Sequence, residues 1–172
     1  MWYNNKNLRF FRSGVREKRK KEDKKVNEQE EWLKNFFESD KFVQLAGIEV
    51  VEVTNERAVV AADIEEKHLN GNGCVQGGMI YTLADFAFAV LGNHLHPMTV
   101  TQGGHITYLR PAYTSKLTAT AIETERAGHN SICEVVVRDD KDKIVCVCNF
   151  NGFVKDITKE EMAEIVRKGR ER

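Results

Sequence analysis

Apolar positions change their spacing several times along the chain, and each change marks an element. From about Val26 to Phe42, Trp32, Phe36 and Phe37 fall on one face at helical spacing, and Leu45-Ala46-Gly47 ends that stretch. Gly47 to Val53 alternates, and Arg57 to Ile64 reads as its hairpin partner across Thr54-Asn55-Glu56. A loop carrying Lys67, His68 and Asn70 leads into a glycine-rich turn, then into a run with almost no polar face: Met79, Ile80, Leu83, Ala84, Phe86 through Leu91. A helix apolar on nearly every side is a buried helix, and Gly92-Asn93 supplies its expected C-cap. Strand patterns follow at Met98–Leu109, Lys116–Arg126, Ser131–Arg138 and Lys143–Val154. Thr158 with Glu161 three residues on forms a capping box for a charged terminal helix. The pattern predicts an α+β fold, one long buried helix wrapped by a five- to six-stranded antiparallel sheet, because such a sheet needs its inner face covered.

Composition refines this picture only at the ends. A chain of 172 residues with 41% hydrophobic content suits one domain with a real core. The formal net charge is +0, yet residues 1–26 hold ten basic and three acidic side chains. The division expected is therefore a basic, solvated tail over 1–25, the folded domain over 26–155 and a charged C-terminal helix over 156–172. No run approaches the ~18–20 apolar residues of a membrane span, and the N-terminal stretch lacks the apolar core of a secretory signal. Neither membrane nor nucleic acid is expected as a partner. Cys74, Cys133, Cys146 and Cys148 show no metal-ligand pairing with histidines, and Cys146 and Cys148 sit at i, i+2 as small hydrophobes on one strand face. A reducing cytoplasm is the expected setting.

Candidate chemistry concentrates at the buried helix. Asp85 stands in the middle of its apolar run, where an ionised carboxylate is costly unless it is paired or employed. Two explanations stand on the helix alone: a structural hydrogen bond to a backbone or hydroxyl partner, or a working carboxylate. The glycine turn favours the second. The first free N–H groups of the helix, near Gly77 and Gly78, form a site for an oxyanion, and a carboxylate with an oxyanion-polarising helix start suggests acyl-group chemistry. The Gly103-Gly104 interruption predicts a bulge or a close-lying ligand. His94 and His96 read as a solvated helix end rather than a metal pair, and His68 and His129 as loop residues.

The stretch H-L-N-G-N-G-C-V-Q-G-G-M-I-Y-T-L-A-D-F-A-F-A, followed by I-T-Y-L-R-P-A and L-T-A-T-A, resembles the hotdog-fold acyl-CoA thioesterases of the phenylacetic-acid-degradation (PaaI-like) type over roughly residues 28 to 155. The resemblance implies a hotdog homodimer, often paired into a homotetramer, with active sites at the dimer interface. It implies that Asp85, from the partner subunit, attacks the thioester or deprotonates a water. It further implies that Gly77 offers its N–H to the thioester carbonyl, with Asn70 near the same carbonyl and Thr101 beside the water or Asp85. The family usually has His where this chain has Gln76, whose amide can still donate. Gly78, Gly103, Gly104, His105 and Arg110 are the expected substrate-binding positions, with the pantetheine arm at the glycine break and phosphates at Arg110. No metal and no separate cofactor is implied, because coenzyme A is part of the substrate. The reaction expected is hydrolysis of an aryl- or medium-chain acyl-CoA. The alternative is a non-catalytic acyl-CoA-binding regulator that binds DNA through an N-terminal module; residues 1–25 lack the apolar core such a module needs. A hotdog dehydratase is a third reading, weakened by Gln76 in place of an imidazole.

Overall fold

The computed structural model describes residue 37 and residues 39–170; the basic tail and most of the helix expected from Val26 lie outside the described residues. The second half of that helical pattern is cut by Asp40. Its carboxylate accepts the N–H groups of Phe42 and Val43 at 3.0 and 3.1 Å, so a new short helix, α1, runs from Lys41–Leu45. Then come β1 (Ile48–Val53), β2 (Ala58–Asp63), a single 3-10 turn at Glu66–His68, α2 (Gly77–Leu95), β3 (Thr99–Tyr108), β4 (Lys116–Ala127), β5 (Asn130–Asp139), β6 (Ile144–Val154) and α3 (Lys159–Arg170). All four later strands stand within two residues of their sequence expectation. The capping box forms as expected, with Glu161 N–H donating to Thr158 Oγ1 at 3.1 Å and Thr158 N–H to Glu161 Oε2 at 2.7 Å.

The six strands make one antiparallel sheet in the order β1-β2-β4-β5-β6-β3. α2 lies on its inner face and buries Ile80, Leu83, Ala84, Phe86, Ala87, Phe88, Val90 and Leu91. Across β2 and β4 that face is paved by Ala58, Val60, Ala119 and Ala121, all fully buried, and small side chains let the helix approach closely. On β6, Phe150 stacks on Phe88 with ring centroids 5.3 Å apart and planes 17° from parallel. Each such fully buried aromatic or leucine contributes about 1.5–3 kcal/mol relative to exposure.

Two features depart from the sequence expectation. α2 does not stop at Gly92 but runs on to Leu95. Gly92 is a packing glycine, since a Cβ there would stand 3.0 Å from Thr99. Asn93 is buried and clasps β3, giving its amide to Thr99 O at 3.2 Å and accepting Thr99 N–H at 3.0 Å. The second feature is a bulge in β3 between Thr101 and Gly103. Before it, Thr99 and Thr101 point at α2 through their bonds to Gly92 O and Asp85. After it, Gly104 and Tyr108 face the helix, so one extra residue has shifted the phase of the strand.

Candidate active site

The turn before α2 is built by Asn70. Its Oδ1 accepts the N–H of Asn72 at 2.8 Å, its Nδ2 donates to Cys74 Sγ at 3.2 Å, and its backbone closes the loop with Cys74 and Gly73. The side chain is therefore committed to its own loop, a structural use that the sequence pattern does not announce. Gln76 follows as the N-cap. Its Oε1 accepts the N–H groups of both Gly78 and Met79, the latter at 3.1 Å. The glutamine thus caps the helix with its oxygen, and it consumes two of the free N–H groups that the glycine turn was expected to offer. A Cβ on Gly78 would stand 2.7 Å from that oxygen, so Gly78 serves the cap.

Gly77 N–H is the donor left over, with no acceptor among the described residues. The peptide that follows it is held from β3, where Tyr108 Oη donates to Gly77 O at 2.6 Å. Gly77, Asn70, Tyr108, Leu109 and Arg110 share an open groove of about 420 Å³. Arg110 is exposed at its rim, so the expected cation and the expected carbonyl donor do meet in one place. Tyr108 is not among the residues the sequence singles out, because its inward direction follows from the bulge and not from the strand pattern.

Asp85 lies two turns and more further along α2. It is half-buried, and Thr101 Oγ1 donates to its Oδ1 at 2.9 Å. Burial raises its pKa above the ordinary carboxylate value; the Thr101 hydrogen bond opposes that rise and the nearby charge of Asp40 adds to it. An aspartate kept partly dry with one hydroxyl partner on an exposed strand suits a base. Eight residues separate it from Gly77, which places the two about 12 Å apart along the helix.

The remaining candidates are dispersed. Gly103 is open, with nothing near its Cβ position, whereas Gly104 is filled from within: a Cβ there would collide with Tyr81 Oη and the Phe150 ring. Gly104 is therefore explained by packing, not by a ligand. His105 pairs with Asn149 on the face of the sheet turned away from α2, because neighbouring Gly104 pairs with inward-facing Phe150. His94 Nε2 bonds Asn55 Oδ1 at 3.0 Å and His96 Nε2 bonds Glu123 Oε1 at 2.7 Å, so each ring has its own partner. Arg126 braces the β4–β5 turn through Gly128 O and Asn130 O. His68, read from sequence as a loop residue, is buried.

One helix wrapped by a six-stranded antiparallel sheet is the arrangement of the hotdog fold. A sequence model of the thioesterase superfamily matches residues 72–146. The acyl-coenzyme A thioesterase PaaI of Escherichia coli K12 is 28% identical over 118 residues, covering 68% of this chain and 83% of the relative. Among solved structures, a protein of Thermus thermophilus is 30% identical with a TM-score of 0.63, covering 67% of this chain and 98% of that one. The Escherichia coli PaaI structure, at 24% identity, reaches a TM-score of 0.72 over 77% of this chain and 97% of its own. The chain thus has a PaaI-like hotdog fold and is similar to the thioesterase superfamily over residues 72–146.

Proposed function

We propose that the chain is an acyl-CoA thioesterase that cleaves aryl- or medium-chain acyl-CoA to free acid and coenzyme A, at sites shared by two copies. The observation that carries this reading is the separation of about 12 Å between Asp85 and Gly77 on one helix. Each has the chemistry one half of a hydrolytic site needs, and neither reaches the other. A second copy supplies the missing half.

β3 is the strand through which the copies meet. It is a ten-residue edge strand, mostly exposed, with neither Pro nor Lys to blunt it, and such an edge invites pairing. Thr101 ties one end of β3 to Asp85, and Tyr108 ties the other end to Gly77. Antiparallel pairing of two β3 strands about a two-fold axis midway between those residues sets Thr101 and Asp85 of one copy opposite Tyr108 and Gly77 of the other. A thioester bound there places its carbonyl oxygen at Gly77 N–H, where negative charge develops during attack. Asp85 of the other copy takes a proton from a water as that water adds to the carbonyl carbon, or attacks the carbon itself, in which case a water afterwards hydrolyses the acyl-aspartyl anhydride to the free acid and restores the carboxylate. Collapse of the adduct breaks the C–S bond, and the coenzyme A thiolate leaves and is protonated. Arg110, at the rim beside Gly77, meets a phosphate of the coenzyme A arm. The chemistry calls on no metal, and the buried, unpaired cysteines suit a reducing cytoplasm.

The test is release of free thiol from a panel of aryl- and medium-chain acyl-CoA thioesters, with Asp85→Asn run alongside. The variant is expected to lose most of the activity while keeping the wild-type fold by circular dichroism. Equal turnover by the two proteins would remove Asp85 from the mechanism.

A further inference from the structure

A second groove, of about 450 Å³, flanks the start of α2 on the side of α1. Phe42, Leu45, Leu69 and Met79 give it an apolar lining, and Gln76 and Gly78 place one end of it at the helix start. His68 forms part of its wall and is only 5% exposed. The ring is fixed at one nitrogen: Nδ1 accepts the N–H of Glu65 at 3.0 Å. A ring nitrogen that accepts carries no hydrogen, so in this arrangement the proton sits on Nε2. Nε2 is itself buried and has no partner among the described residues. A buried N–H without an acceptor is rare in folded proteins and calls for an explanation. The histidine is also coupled to the site, because Gln76, the cap of α2, donates its backbone N–H to His68 O at 2.8 Å.

We propose that His68 Nε2–H reads the acyl group of the substrate: the preferred acyl chain carries a keto or hydroxyl oxygen part-way along an otherwise apolar body, and that oxygen accepts from His68. The inference rests on the thioesterase reading above and adds which acyl groups the groove favours. With the thioester carbonyl at Gly77, the acyl body runs along the apolar lining and passes His68. Met79, an unbranched thioether on the same wall, yields most easily to let the oxygen reach the nitrogen. A plain alkyl chain leaves the donor unpaired, and a site built to hydrogen-bond a substrate discriminates against the analogue that lacks the partner. A keto oxygen only accepts, which makes it the diagnostic group.

The test compares octanoyl-CoA with oxo-octanoyl-CoA isomers in which the keto group is moved carbon by carbon along the chain. At one position kcat/KM is expected to exceed that of octanoyl-CoA by roughly 5-fold or more. In His68→Asn, whose Oδ1 can still accept the Glu65 N–H while its amide stops short of the groove, that ratio falls to near one. A second readout needs no turnover. The imidazole nitrogen NMR resonance of His68 Nε2 in the wild-type protein shifts on adding the matching free oxo-octanoic acid and stays in place with octanoic acid. A protein that binds the oxo acid with this shift yet cleaves no thioester refutes the thioesterase reading and leaves the His68 contact standing. Equal preference in wild type and His68→Asn, or equal shifts with both acids, overturns the proposal.

Discussion

Two inactive variants should restore each other if the site is shared. Asp85→Asn removes the base and is expected to lower kcat/KM by about 10²–10⁴-fold. Gly77→Pro removes the N–H that has no acceptor among the described residues, and the loss of an oxyanion donor costs about 2.7–4 kcal/mol of barrier. Proline is tolerated at that position: it is the first residue of α2, and Gln76 before it already has the extended backbone, φ -66 and ψ 134, that a following proline demands. The proline ring meets Tyr108 Oη, which lies 3.1 Å from the Cβ position, so the side chain must yield a few tenths of an ångström. In a dimer of one copy of each variant, one site pairs an intact helix start with an intact Asp85, and the other site lacks both. Doubly tagged heterodimers should therefore regain about half the wild-type rate per dimer, and a random mixture about a quarter. The assay is thiol release by co-expressed, tandem-purified protein, with each homodimer measured separately. A heterodimer no faster than its two parents would mean that both groups act within one copy, and the inference from helix geometry would fail.

Other outcomes follow from the same contacts. Thr101→Val removes the hydrogen bond that opposes the burial-driven rise in the Asp85 pKa, so the acid limb of the kcat/KM pH profile should move to higher pH, and Thr101→Ser should leave it in place. Because the folded-state pKa of Asp85 is raised, its ionisation is a stability cost that is absent below the unfolded-state pKa, grows as pH climbs from there, and is complete above the raised value. Asp85→Asn should therefore raise Tm at neutral pH and lose that advantage in acid, as read by calorimetry at several pH values. Gly104→Ala drives a methyl group into Tyr81 and Phe150 and should destabilise the fold by about 1–3 kcal/mol in urea titrations, whereas Gly103→Ala, which meets open space, should not show an overpacking penalty of that size.

Local sequence patterns went far towards the fold. The apolar run from Met79 to Leu91 makes a buried helix whatever surrounds it, and alternation located β1, β2 and the four later strands to within two residues. Asp85 and Gly77 stood out for the same reason: a charge inside an apolar run and a glycine at a helix start are visible without coordinates. Phase and partnership were not visible. A single extra residue in β3 decides that Gly104 and Tyr108 face α2 while His105 faces away, and no alternation pattern marks where a bulge falls. Gln76 and Asn70 carry groups that can polarise a carbonyl or hold a backbone equally well; only the folded turn commits them to capping α2 and closing the loop. Gly92 reads as a helix end until β3 returns and packs Thr99 against it. Burial is written into the chain by spacing, whereas the choice of partner for a polar group depends on distances between segments that meet only when the sheet closes around its helix.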